Sequence, residues 1–209
     1  MFTVSTGDMV VNNKAPQVSE ALEMVDSFLE KIDLKGKKAL HMRLLTEETL
    51  GMVGAMLPDY QALLHFEGDD NECRICLTAK TIMDADKKSE LISMSTSGEN
   101  AAVKGFMGKI SDIIENGILN YDSVMSMRQE YDGSLVDYGF MGADSSLAMD
   151  HAAVWSLSQY RTAIEADAGE DTEEARDELE KSIVASIADE VTVGVKKDKV
   201  DMTIILKLS

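Results

Sequence analysis

The sequence predicts an α+β fold: a two-layer α/β sandwich with a mixed β-sheet carrying helices on one face. Two alternating hairpins and three helical stripes predict it. In 60–81, "YQALLHFE" and "ECRICLTAKT" flank the tight turn "GDDN", and apolar and polar residues alternate as half-buried strands require. In 190–208, Val191, Val193 and Val195 alternate, then Val200, Met202, Ile204, Leu206 and Leu208, around the turn "KKDK". Helices are predicted over 17–33, 37–57 and 172–188; Val18, Leu22, Val25, Leu29 and Ile32 mark the first at three- and four-residue spacing. One sheet with these helices on one face buries every stripe.

Taken in order, residues 2–12 read as a first strand through Phe2, Val4, Met9 and Val11, and "NNKAP" breaks the chain at Pro16. Gly36 separates the first two helices, and Pro58 ends the second because its ring cannot continue one. The middle, 84–169, reads as a helical insertion or lid within a single domain spanning 1–209. Inside it "AAVKGFMGKISDIIENGI" and "LAMDHAAVWSLSQYRTAIEA" read as helices, and "YDGSLVDYGFMGADSS" as a glycine-rich loop. "DAGEDTEE" is an acidic linker that starts the last helix, with Asp171 or Thr172 as cap.

The 209 residues carry 20 basic and 38 acidic side chains, a formal net charge of −18. Such a chain repels phosphate backbones and anionic membranes, so neither nucleic acid nor a membrane is expected as a partner. No apolar run reaches the roughly 18 residues of a membrane span. The first residues lack a basic region and a long apolar core, so no signal peptide is read there and the cytoplasm is the expected location. Cys73 and Cys76 have C-x-x-C spacing, but on an alternating strand they point to opposite faces, and no second Cys/His pair completes a zinc site. They read as buried, reduced thiols. His41, His65 and His151 are scattered, and none stands at metal-ligand spacing; His65 reads as a strand pairing residue. The 14 methionines read as core filler or as an adaptable binding surface, and Trp155 as a core residue or an interface anchor.

One carboxylate stands out. In "LLTEETLGMV", Leu44, Leu45, Met52, Ala55 and Met56 fall on one helical arc, with Glu48 in its middle and Glu47 at its edge. Either Glu48 is buried and paired with Arg43 or a lysine, or the helix is rotated and Glu48 lies at the surface, or it serves chemistry.

Three pieces of the chain resemble the ATP-binding fold of the GHKL superfamily, and most closely the anti-sigma-factor serine kinases. "MRLLTEETLGMV" resembles the N box helix, "APQVSEALEMVDSFLEKIDLKGKKAL" the first long helix and linker, and "EKSIVASIADEVTVGVKKDKVDMTIILKL" the final helix and hairpin. The resemblance implies ATP and Mg2+ as cofactors and Glu48 as the catalytic base. It departs from the family at defined places. The residue four beyond Glu48, where the family has a magnesium-binding asparagine, is Met52; counted from Glu47 it is Gly51. The adenine-binding aspartate position falls at Ala79 and Lys80, with Asp84 following but no glycine behind it. The lid glycines correspond to Gly105 and Gly108, with Lys104 beside them, although the adjoining apolar stripe places them within a helix.

Two functions follow. One is a regulatory protein with a degenerate nucleotide site, weak or absent in ATP binding, that acts by holding a protein partner. The other is an active ATP-dependent serine or histidine kinase of the anti-sigma type. An unrelated α/β binding domain is a third reading, and a homodimer is compatible with each. The insert, with Met125, Met127, Met141, Met149 and Trp155, is the expected partner surface.

Overall fold

Strands β1 (Val4–Ser5) and β2 (Met9–Asn12) are two halves of one edge, both pairing with β3 (Tyr60–Gly68). A single strand was expected over 2–12. It breaks at Thr6, whose Oγ1 accepts from Phe66 N at 2.9 Å in place of a backbone carbonyl. The computed structural model describes residues 4–12, 16–56, 60–81, 106–130, 151, 153–166 and 170–209. Helices α1 (Pro16–Lys31) and α2 (Gly36–Met56) follow β2, and β3 turns into β4 (Glu72–Thr81). Next come α3 (Phe106–Glu130), β5 (Ala153–Ser156), α4 (Leu157–Ala166), α5 (Glu170–Lys181), α6 (Ile183–Ile187), β6 (Glu190–Lys196) and β7 (Lys199–Lys207).

Among the described residues, seven strands form one sheet in the order β1-β3-β4-β7-β6-β5, with β2 also on β3, so the two hairpins share a sheet as their patterns predict. Every ladder is antiparallel, not mixed. The hairpin turns fix this for β3–β4 and β6–β7, and the helices fix it for β2–β3. Between β2 and β3 the chain runs out along α1 and back along α2, which packs against it, so β3 starts at the end where β2 stopped and runs the other way.

Alternation assigns the two faces. Ala62, Leu64, Phe66, Ile75, Leu77, Ala79, Val193, Val200, Met202 and Ile204 are buried beneath the helices in one continuous core. From the helices, Val25, Phe28, Met42, Leu45, Ile110, Leu157 and Val184 complete it. The core therefore draws on α3, β5 and α4, within the 84–169 segment. Helix α3 lies close on the sheet because of Gly117: a Cβ there would stand 2.7 Å from Val195 Cβ.

Two elements differ from their sequence patterns. The stretch around "HAAVW", read as helical, contains β5, where Trp155 pairs with Val193 and is only 6% exposed. The edge of β6 offers backbone partners there, and Val154 and Trp155 suit a strand. The helix expected over 172–188 is two helices divided at Ser182, whose hydroxyl caps α6 by accepting from Ala185 N at 3.2 Å. Among the described residues, no helix is long and apolar enough to cross a membrane.

Candidate functional site

Helix α2 presents a narrower core face than its leucines and methionines suggest. The buried residues are Met42, Leu45, Thr46, Thr49, Leu50, Met52 and Val53. Thr46 and Thr49 are 0% and 1% exposed, and they sit inside because their hydroxyls donate to Met42 O (2.8 Å) and Leu45 O (2.5 Å). With the hydroxyls satisfied, their methyl groups pack like valine. The helix is thus rotated so that Leu44 and Met56 are half-buried and Ala55 is exposed.

Glu48 follows from that rotation. It is half-buried on the border of the core face, one turn from Leu45 and from Met52, and Glu47 is exposed. Arg43, a partner considered for Glu48, instead forms an ion pair with Asp26 of α1. Met52, four residues on, is 6% exposed within the core, and Gly51 is exposed. The thioether offers no hard oxygen ligand for magnesium.

The remaining positions singled out by sequence are dispersed. Ala79 is fully buried under the helices, whereas Lys80 points to the opposite face, where its Nζ stands 3.4 Å from Asp198 Oδ2. The sheet therefore separates Lys80 from Glu48 and Met52. Gly108 is buried in the first turn of α3. Asp84, Lys104, Gly105, Met141 and Met149 lie outside the described residues, as does the loop read over 131–146. Trp155 belongs to the core, and Met125 is half-buried.

A polar cluster that the sequence does not announce lies on the face away from the helices. Gly194, Asp201 and Thr78 are register partners on β6, β7 and β4. Asp201 Oδ1 accepts from Thr78 Oγ1 at 2.6 Å, and Oδ2 lies 3.0 Å from His151 Nε2. His151 is 5% exposed and fills the space above Gly194, where a Cβ would stand 2.7 Å from its Cδ2. Burial pulls the Asp201 carboxyl up, but the His151 and Thr78 hydrogen bonds outweigh it and hold the group below the ordinary carboxylate range. Fifty residues separate His151 from Asp201 in sequence, so no local spacing could reveal the pair.

On the same face, His65 stands 3.3 Å from Asp8 and 3.5 Å from Glu67, which fits its reading as a pairing residue. Cys73 is buried on the helix side and Cys76 half-buried on the other; both are free, and burial pushes each thiol up to about 11. Among the described residues, no group of three or more His, Cys, Asp or Glu is placed to hold a metal ion.

Among the described residues, the most exposed large apolar side chain on a helix is Leu40, at 63%; it borders a cleft between α1 and α2 lined by Leu29, Leu34 and Ala39 together with the charged Asp26, Glu30, Asp33, Lys35 and Arg43. Comparison with protein-family models gives no match, and neither does comparison with curated proteins.

Proposed function

We propose that this is a regulatory protein with a degenerate histidine-kinase-like ATP-binding fold, acting in the cytoplasm by holding a protein partner in the manner of an anti-sigma factor. Met52 carries the reading. In the family that α2 resembles, the residue four beyond the glutamate supplies an oxygen to magnesium; here a core thioether stands there. The layout supports the family side of the reading: two helices precede the first hairpin, the glutamate-bearing helix is the second, and a short helix leads into the final hairpin. The exposed Leu40 supports the partner side; it borders a cleft in which Leu29, Leu34 and Ala39 are ringed by Asp26, Glu30, Asp33, Lys35 and Arg43, a mixed apolar and charged surface of the kind that protein partners cover.

Calorimetry with ATP and magnesium tests the nucleotide half, and no saturation at micromolar protein is expected. A tight, magnesium-dependent isotherm would transfer the proposal to the kinase reading, with Glu48 as the base that takes the acceptor hydroxyl's proton.

A further inference from the structure

The face of the sheet turned away from the helices differs in charge from the rest of the chain. Every charged side chain on the described strands lies on it, because the alternate residues are buried in the core. Those strands carry four acidic and five basic side chains, whereas the whole chain carries 38 and 20. The negative excess therefore lies off the sheet, and this face is close to neutral.

Its middle is flat and partly apolar. Val10 and Leu63 are register partners on β2 and β3, and they are 52% and 43% exposed. Leu63 adjoins Thr78 on β4, and Cys76, one pleat along, adjoins Thr203 on β7; these small side chains are half-buried. Asp201 lies in the same strip with its carboxylate engaged by Thr78 and His151. Charge collects at the two ends. At the β6–β7 turn stand Lys80, Lys197 and Lys199 with Asp198; base stays in excess there with Lys80 on Asp198 and Lys199 set against Asp201. At the β3–β4 turn, Glu67, Asp69, Asp70 and Glu72 outnumber Arg74 and Lys207, and the Arg74–Glu72 pair leaves acid in excess.

A partner chosen by charge alone would be basic, and the acidic remainder of the chain would draw it away from this face. A second copy of the chain is as acidic as the first, so two copies can approach only where that excess is missing. The polarity of the face suits a copy as well. A two-fold axis crossing the strands turns the basic end of each copy toward the acidic end of the other, as a self-complementary contact requires. With strands about 4.8 Å apart and outward residues about 6.8 Å apart along β4, the face measures roughly 24 by 27 Å. That is about 600 Å² on each copy, the size at which specific interfaces begin.

We propose that two copies of this chain pair through this face, sheet on sheet, in an isologous dimer. The contact is on the opposite side of the sheet from Glu48 and Leu40, and it is independent of the nucleotide and partner readings of α2.

Sedimentation equilibrium, with methyl resonances read against a soluble paramagnetic agent, tests it. The wild type should sediment at twice the chain mass at micromolar concentration. The methyls of Val10, Leu63 and Ile205 should be shielded from the agent and lose that shielding on dilution. Leu63→Lys changes an exposed side chain outside the core and should weaken pairing at least tenfold. Leu40→Lys, the control on α2, should pair as the wild type does. Lys80→Glu/Lys199→Glu should weaken pairing more than Lys31→Glu/Lys109→Glu, which adds the same charge at exposed helix positions. A monomeric wild type would overturn the dimer: methyls open to the agent would leave the face to a different partner, and methyls shielded at every dilution would show the chain covering its own face. A dimer that survives Leu63→Lys and is lost in Leu40→Lys would place the contact at the α1–α2 cleft and overturn it equally. The wild-type methyls read the face directly, so the result does not hang on how well the variants fold.

Discussion

Asp201 is held by two hydrogen bonds on a carboxylate whose pKa burial alone would raise. Its folded pKa lies below the unfolded value of about 3.9, so the stability it contributes is present above that pH and is lost as pH falls through the folded value. Asp201→Asn should therefore cost about 1 kcal/mol at pH 7, a modest figure because the side chain is 35% exposed, and the gap to wild type should shrink at a pH below the ordinary carboxylate range. Urea unfolding at the two pH values measures this. Gly194→Ala drives a methyl into the His151 ring and should cost about 1–3 kcal/mol. The same change in a His151→Ala background should cost clearly less, and a double-mutant cycle gives the coupling. The threonines of α2 show where residue-level reading goes astray. Thr46 and Thr49 count as polar in any pattern, yet back-bonding to the preceding turn makes them core residues. Without them the apolar arc centres on Glu48; with them Glu48 moves to its border.

Elements were legible where one period governs them. The alternation in 60–81 and 190–208 identified both hairpins, and the stripe Val18, Leu22, Val25 and Leu29 identified α1, because each residue there meets the same layer throughout. Legibility failed where a neighbour in space decided the outcome. Strand β5 exists because β6 offers it an edge, which the periodicity of its own residues does not encode. The Glu48 neighbourhood was half legible: Met52 at four residues was plain in sequence, but the dispersal of Ala79 and Lys80 to opposite faces required only the alternation already recognised in β4. Helix α3 offers a test at this scale. Glycine to alanine inside a helix ordinarily gains about 1 kcal/mol. Gly117→Ala should instead destabilise, by about 1–3 kcal/mol, because the new methyl meets Val195 on the sheet. Thermal melts followed by circular dichroism report the sign. Ser182→Ala, which removes the cap of α6, should cost about 1 kcal/mol.

For the molecule as a whole, 38 acidic against 20 basic side chains make self-repulsion a standing load on the folded state. Raising salt from about 0.01 M to about 0.5 M should raise the melting temperature, because screening shortens the reach of that repulsion. The sheet carries a different consequence. Its centre is β7, the last strand along the chain, inserted between β4 and β6. During synthesis, then, β4 emerges with one edge bare and waits for β7, which follows β6 after a two-residue turn. A nascent chain that has not released residues 199–207 from the ribosome holds an unfinished sheet, open to any extended peptide nearby. Closure is a single late event joining strands far apart in sequence, a slow kind of step for a folding chain. Whatever shields the chain in that interval must cover strand edges, and it can let go only when β7 arrives to take its place.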